Sequence, residues 1–230
     1  ARYDHGYRPR AGDLDLGSRH KRYGEAVGRG LDWLARRQGR DGCFGEKSER
    51  HMYNHALATY AMAEAYVMTD DGSLRDPVTR AVGYLVASQN PGMGWRYRNY
   101  NATGGTEPDG SINDVSVTGW VIMALKVART AGVEIPDACF TGSNRQLDTV
   151  QAVHERYETT YGYTGPNHFV QGQPYTTTAA GMIIRQFTGM GDPRAGLGTL
   201  LGHPPEWSRC NMYEWYYGAL AVWQADGPAG

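Results

Sequence analysis

Apolar positions recur along this chain with helical period in two alternating patterns. In the first, one stripe is apolar and the other sides are polar. Val27, Leu31 and Leu34 fall at i, i+4 and i+7, and Val78, Val82 and Leu85 repeat that spacing, with Glu25, Arg29, Asp32, Arg36 and Arg80 on the remaining surface. Such helices keep a wet face. In the second, the helix is apolar on nearly every side: "HALATYAMAEAY" (55–66), "VTGWVIMALKVA" (117–128), "TAAGMIIRQF" (178–187) and "YGALAVW" (217–223). No run reaches the eighteen or so apolar residues that a membrane span requires, so protein must enclose these helices.

In chain order the pattern predicts a wet helix over 22–37, a buried one over 51–68, wet 75–89, buried 114–131, wet 144–153, buried 175–189, a Gly-interrupted segment 193–203 and a buried helix 209–225. If each wet helix packs outside a buried one and the buried ones face a common axis, the chain is all-α. The predicted architecture is an α/α toroid of about four helical hairpins over residues 21–226. A two-layer solenoid would leave one side of every inner helix wet. Residues 1–20, polar, Gly-rich and without period, are expected to form an N-terminal arm.

Internal repetition supports the hairpin reading. Leu34, Leu85 and Leu147 each precede a glutamine by four, and Gln38, Gln89 and Gln151 each lead into a turn rich in Gly and aromatic residues: "QGRDGCFG", "QNPGMGWRY" and "QAVHERYETTYGYTG". A glutamine at a helix end can satisfy orphan backbone groups while the aromatic ring closes over the joint. The buried helices align as well: His55-Ala56, Thr118-Gly119, Thr178-Ala179 and Tyr217-Gly218 each place a larger polar or aromatic residue before a small one near the helix start.

Charge removes two classes of partner. The 230 residues carry a net charge of −1, and the arginines are scattered, as in "RGLDWLARRQGR", so neither nucleic acid nor an anionic membrane surface is an expected partner. Cys43, Cys139 and Cys210 are too few for a disulfide framework and lack a Cys-x-x-Cys pair; no structural metal and no cofactor are expected. The start at Ala1, with neither Met nor a signal-like apolar segment, is read as that of an exported, processed chain.

With the Leu-x-x-x-Gln endings, the turns at Phe44 and Trp95 and the helix "DVSVTGWVIMALK", the chain resembles the prenyltransferase and squalene oxidase repeat superfamily, the α/α toroids that include terpene cyclases. It is particularly similar to uncharacterised bacterial members in which a Gly-Trp-Arg-Tyr turn, here Gly94 to Tyr97, precedes an Asp-x-Ser-Val-Thr-Gly-Trp helix, here Asp114 to Trp120. The resemblance spans about residues 22 to 225 and implies the toroid fold. The family's chemistry does not carry over. "TDDGS" and "INDVS" do not supply the Asp-x-Asp-Asp acid of class II cyclases. "DAC" at Asp137 to Cys139 has the spacing of a prenyltransferase zinc pair but follows Pro136 in an expected loop, and "GCFGEKS" is not a thioester motif.

In a toroid the inner helix starts converge on one mouth, which makes their side chains the candidate ligand-binding set. These are Tyr53, Asn54, His55, Asp114, Ser116, Thr118, Tyr175, Thr177, Tyr213, Tyr216 and Tyr217, with Trp95 and Tyr97 from a turn. Simpler roles compete: Asp114 and Ser116 as caps, His55 as a hydrogen-bonded core histidine, the tyrosines as packing. An Asp114–His55 pair across the mouth would make an acid/base couple. The segment Asn99 to Ile112 reads as a lid or contact loop.

Three functions fit. A non-catalytic binding or assembly module, contacting a protein, a polymer or copies of itself, accords with the missing catalytic motifs and calls for a shallow or aromatic-filled mouth. An enzyme or binder of an isoprenoid-like substrate would need a deep apolar cavity lined by Trp120, Tyr163, Tyr216 and Trp223. A saccharide ligand would use the aromatic platforms with Arg96 and Arg98. The first is preferred, and the sequence leaves catalysis open.

Overall fold

The structure, a computed structural model, describes residues 17–99, 113–155, 158–169 and 174–226. Most of the expected arm and of the expected lid lies outside the described residues. Among them are eight α-helices: α1 (Gly17–Arg37), α2 (His51–Thr69), α3 (Arg75–Ala87), α4 (Val115–Thr130), α5 (Asp137–Val150), α6 (Tyr175–Thr188), α7 (Leu197–Leu201) and α8 (Met212–Asp226). One antiparallel pair, β1 (Gln151–His154) and β2 (Glu158–Tyr161), separates α5 from α6, with Gln151 opposite Tyr161.

The all-round apolar helices form one packed series. α2 packs on α4, α4 on α6 and α6 on α8, while α3 lies against α2 and α4, α5 against α4 and α6, and α7 against α6 and α8. The middle of this series is the driest part of the described residues. From Val115 to Leu125 every residue of α4 is buried, and so is α6 from Thr177 to Phe187 apart from Gln186. Local chemistry sets the ends. Asp114 caps α4 in extended conformation and accepts from the amides of Ser116 and Val117, while α6 stops at Gly189, whose φ of 69° costs least in a residue without a Cβ.

A joint recurs between the hairpins. Gln38 Nε2 donates to Gly42 O (3.0 Å) within its own turn and to Pro77 O (2.8 Å) in the first turn of α3. Gln89 Nε2 donates in the same way to Met93 O (2.7 Å) and to Cys139 O (3.2 Å) in the first turn of α5. Behind each turn, the backbone N–H of its aromatic residue donates to the aligned polar side chain of the inner helix: Phe44 to His55 Nδ1 (3.0 Å), Trp95 to Thr118 Oγ1 (3.0 Å) and Tyr161 to Thr178 Oγ1 (3.2 Å). The third joint is modified. Gln151 pairs with Arg185 instead, and the Tyr161 ring packs where only the missing side chain of Gly181 leaves room, since a Cβ there would sit 2.5 Å from ring carbons.

Several expectations need correction. The helix predicted over 144–153 starts directly after Pro136 and ends at Val150, because Gln151 turns extended to pair with β2; "DAC" is therefore the first turn of α5, with Cys139 buried. α1 begins at Gly17, inside the expected arm, and α8 begins at Met212 rather than 209. The two terminal helices of the packed series are less enclosed than their composition predicts. Leu57, Val67 and Met68 of α2 and Met212, Tyr216 and Trp223 of α8 are exposed; α1 covers little, with Leu31, Leu34 and Ala35 leaning on the core and Trp33 52% exposed.

Two outcomes follow from the joint. Thr118→Val leaves the buried Trp95 N–H without its acceptor and should lower unfolding free energy in urea by about 1–3 kcal/mol. His55 donates from Nε2 to Ala81 O (3.1 Å) while Nδ1 accepts, and burial lowers its pKa from 6.5 to about 4. Between those values the unfolded chain binds the extra proton, so stability rises with pH across the window and falls on acidification from 6.5 to 4, by about 3 kcal/mol. Urea titrations over that range should show this slope, reduced in His55→Gln.

Candidate functional site

The first turns of α2, α4 and α8 meet around one carboxyl group. Asp114 has no exposed surface. Its Oδ1 accepts from Ser116 N (2.7 Å), Val117 N (3.2 Å) and Ser116 Oγ (2.5 Å), and the Tyr53 hydroxyl of α2 in turn donates to Ser116 Oγ. On the other side Oδ2 faces Arg96, whose Nη1 lies 3.6 Å away, without a hydrogen bond of good geometry. The Arg96 guanidinium sits over the rings of Tyr97 (4.9 Å) and Tyr163 (5.5 Å), and the hydroxyls of those two tyrosines are hydrogen bonded to each other. Tyr213 of α8 completes the group, its hydroxyl lying among those of Tyr53, Tyr217 and Ser116.

Backbone bonds from the Gly94–Tyr97 turn explain the convergence. Trp95 O accepts from Asp114 N (2.8 Å), Tyr97 O accepts from Met52 N (3.1 Å), and Tyr163 O accepts from Val115 N (3.2 Å), so one turn and one loop fix the starts of α2 and α4 together. The Trp95 indole N–H anchors the turn to Leu85 O (2.7 Å) in α3.

Burial dominates the electrostatics. Desolvation raises the Asp114 pKa, opposed by the bonds from Ser116, Tyr163 and Val117 and by the Arg96 charge. Desolvation also raises Tyr53, Tyr97, Tyr163 and Tyr213, and the Asp114 charge adds to the shift in each. The tyrosines therefore remain neutral hydrogen-bond donors, and the carboxyl is held toward its protonated form. The arrangement relays hydrogen bonds from the buried carboxyl through Ser116 to Tyr53. Between α2, α4 and α8 the rings pack on one another: Trp120 stacks on Tyr216 (5.3 Å, 17°) and packs against Tyr217 (5.3 Å) and Tyr60 (6.4 Å).

Of the predicted mouth residues, Tyr53, Tyr97, Asp114, Ser116, Tyr213 and Tyr217 come together, and Tyr216 lies beside them over Trp120. The others do not join. His55, Trp95 and Thr118 are consumed by the joints, so the Asp114–His55 couple does not form. Thr177 is buried and donates from Oγ1 to Pro174 O (3.3 Å), Asn54 is exposed, and Tyr175 stacks on His203 (3.5 Å, 4°) beside α7. Sequence reasoning left Arg96 and Tyr163 out of the mouth set. For Arg96 the available signal was its place between Trp95 and Tyr97 in a turn already marked as a joint. Trp223, expected to line a cavity, is 61% exposed. Among the described residues no cluster of three His, Cys, Asp or Glu could hold a metal ion, and Cys43, Cys139 and Cys210 are all free thiols.

Comparison with protein-family models, with curated proteins and with solved structures finds no match to this chain.

Because Asp114 keeps its proton to higher pH in the folded chain than in the unfolded one, its contribution is fully present below 3.8 and is lost as pH rises through the folded value. The stability of the wild-type chain relative to Asp114→Asn, measured by urea unfolding, should thus be greatest in acid and shrink toward neutrality. A difference that grows with pH would show that Arg96 and the amides outweigh burial.

Proposed function

We propose that the chain is a non-catalytic binding and assembly module of α/α-toroid type, with α2, α4, α6 and α8 as its inner helices and α3, α5 and α7 outside them. The order of packing supports this reading, and so do the joints that repeat between hairpins. The observation that carries the non-catalytic part is the ring packing around Trp120. Trp120, Tyr216, Tyr217 and Tyr60 pack on one another between α2, α4 and α8, and the titratable candidate that could have worked with Asp114, His55, has both ring nitrogens engaged by backbone.

The partner surface is the pair of exposed helix edges on either side of Trp120. Leu57, Ala61 and Met68 of α2 and Met212, Tyr216 and Trp223 of α8 are exposed, with Glu64 as the charged residue on the α2 edge. Apolar surface gathered in this way marks an interaction site. Its occupant is a second copy of the chain: a net charge of −1 raises no barrier between copies, and each brings the same pair of edges, as a two-fold interface requires.

Sedimentation equilibrium of the chain at roughly 1–100 µM should give the dimer mass, in the affinity range of modest interfaces. Trp223→Glu or Met68→Glu should weaken association about ten-fold or more without lowering the unfolding temperature, since both side chains are exposed. A monomer throughout that range refutes self-assembly through these edges.

A further inference from the structure

Between α8, α7 and the start of α6 lies a cavity of about 240 Å³, and neither the joints nor the Asp114 cluster makes use of it. Its walls are apolar: Leu200 and Leu201 of α7, the Pro204-Pro205 pair that follows, and Trp215 and Val222 of α8. The floor is α8 at Gly218 and Ala219. A Cβ built on Gly218 meets nothing within 4 Å, so the missing side chain leaves open space instead of serving a close helix contact. The volume falls below the roughly 300 Å³ at which drug-sized ligand sites begin, so the occupant is small.

One charge faces this space. Glu214 lines the cavity with its side chain only 15% exposed, and no Lys or Arg is among the described lining residues. Its neighbour is His203, whose Nε2 lies 3.6 Å from Glu214 Oε1 and whose Nδ1 lies 3.3 Å from Arg209 Nη1. A guanidinium nitrogen can only donate, so Nδ1 is the acceptor and the ring proton sits on Nε2, directed at Glu214. Arg209 itself is paired with Glu206 (2.8 Å), and Tyr175 lies flat against His203 and also lines the cavity. The result is an acceptor-only carboxylate at the edge of an apolar, aromatic-walled space. An anion would be repelled there, and a hydrocarbon would desolvate the carboxylate without compensating it. A cation with an apolar body satisfies Glu214 and can lie against the faces of Tyr175 and Trp215.

We propose that this cavity is a binding site for a small organic cation, an ammonium group on an aromatic or short alkyl body, with Glu214 as counter-ion and the Gly218 gap as the seat of the apolar part. None of Glu214, Gly218 and Tyr175 belongs to the assembly edges, and ligand affinity is read apart from association, so the site can fail or hold independently of the self-association reading.

The test is calorimetric titration of the full chain at neutral pH with three probes of one shape: 2-phenylethylamine, 2-phenylethanol and phenylacetate. The amine should bind about ten-fold or more tighter than the alcohol, as expected when a charge-assisted bond replaces a neutral one, and phenylacetate should bind weakest. Glu214→Gln should erase the gap between amine and alcohol. Gly218→Leu should abolish binding of both while leaving the thermal unfolding midpoint unchanged or raised, because the new side chain fills open space on a helix that Gly weakens. Equal affinity for amine and alcohol in the wild-type chain, amine binding that survives Gly218→Leu, or binding of no probe would each overturn the proposal.

Discussion

A helix that is apolar on every side has one stable solution in water: other parts of the protein must cover all of it. In this chain that helix is α4, and the remainder of the fold can be understood as its covering. α2 and α6 close two of its sides, α3 and α5 close the outer side, and the rings of Tyr216 and Tyr217 close what is left around Trp120. Covering a helix completely also buries its start, where four backbone amides have no helical partner. Asp114 answers that need for two of them, and the cost of burying its carboxyl is met by drawing Ser116, Arg96 and the tyrosine hydroxyls around it. The polar cluster at the mouth is thus a consequence of enclosure as much as a site in its own right.

The same constraint accounts for the repeated joints. Each turn between an outer and an inner helix must run over buried surface, and its backbone groups need partners there. A glutamine side chain reaches the turn carbonyl and the next outer helix, and a His or Thr on the inner helix takes the amide of the aromatic residue. His55, Thr118 and Thr178 differ chemically yet occupy one role. Acceptance of one N–H is what that position requires, and either an imidazole or a hydroxyl provides it.

This explains which parts were legible in the sequence. The order of wet and buried helices, the glutamine joints and the cap at Asp114 depend on local periodicity and spacing, and all are visible there. The reading of His55 as a ligand residue failed because its two partners, Phe44 N and Ala81 O, are backbone atoms brought in by tertiary packing. Arg96 was read only as one of the arginines that a saccharide ligand would use, since its place beside Trp95 does not show that two tyrosine rings, one from the distant Tyr163, will hold it over Asp114. The β1–β2 pair was missed because "QLDTVQAVH" continues a helical pattern past Val150, and only pairing with Thr159, Thr160 and Tyr161 makes it extended. The exposed edges of α2 and α8 were hidden by composition alone: an apolar helix reads as enclosed whether or not a neighbour is there to enclose it.

The central claim, that enclosure of α4 organises the chain, is tested most directly by native-state hydrogen exchange resolved by residue. Amides of Val117 to Leu125 should exchange only through global unfolding, with the largest protection in the molecule and the full denaturant dependence of the unfolding reaction, while those of α1 exchange through local opening at far lower free energy. Protection in α4 no greater than in α1, or insensitive to denaturant, would contradict the account.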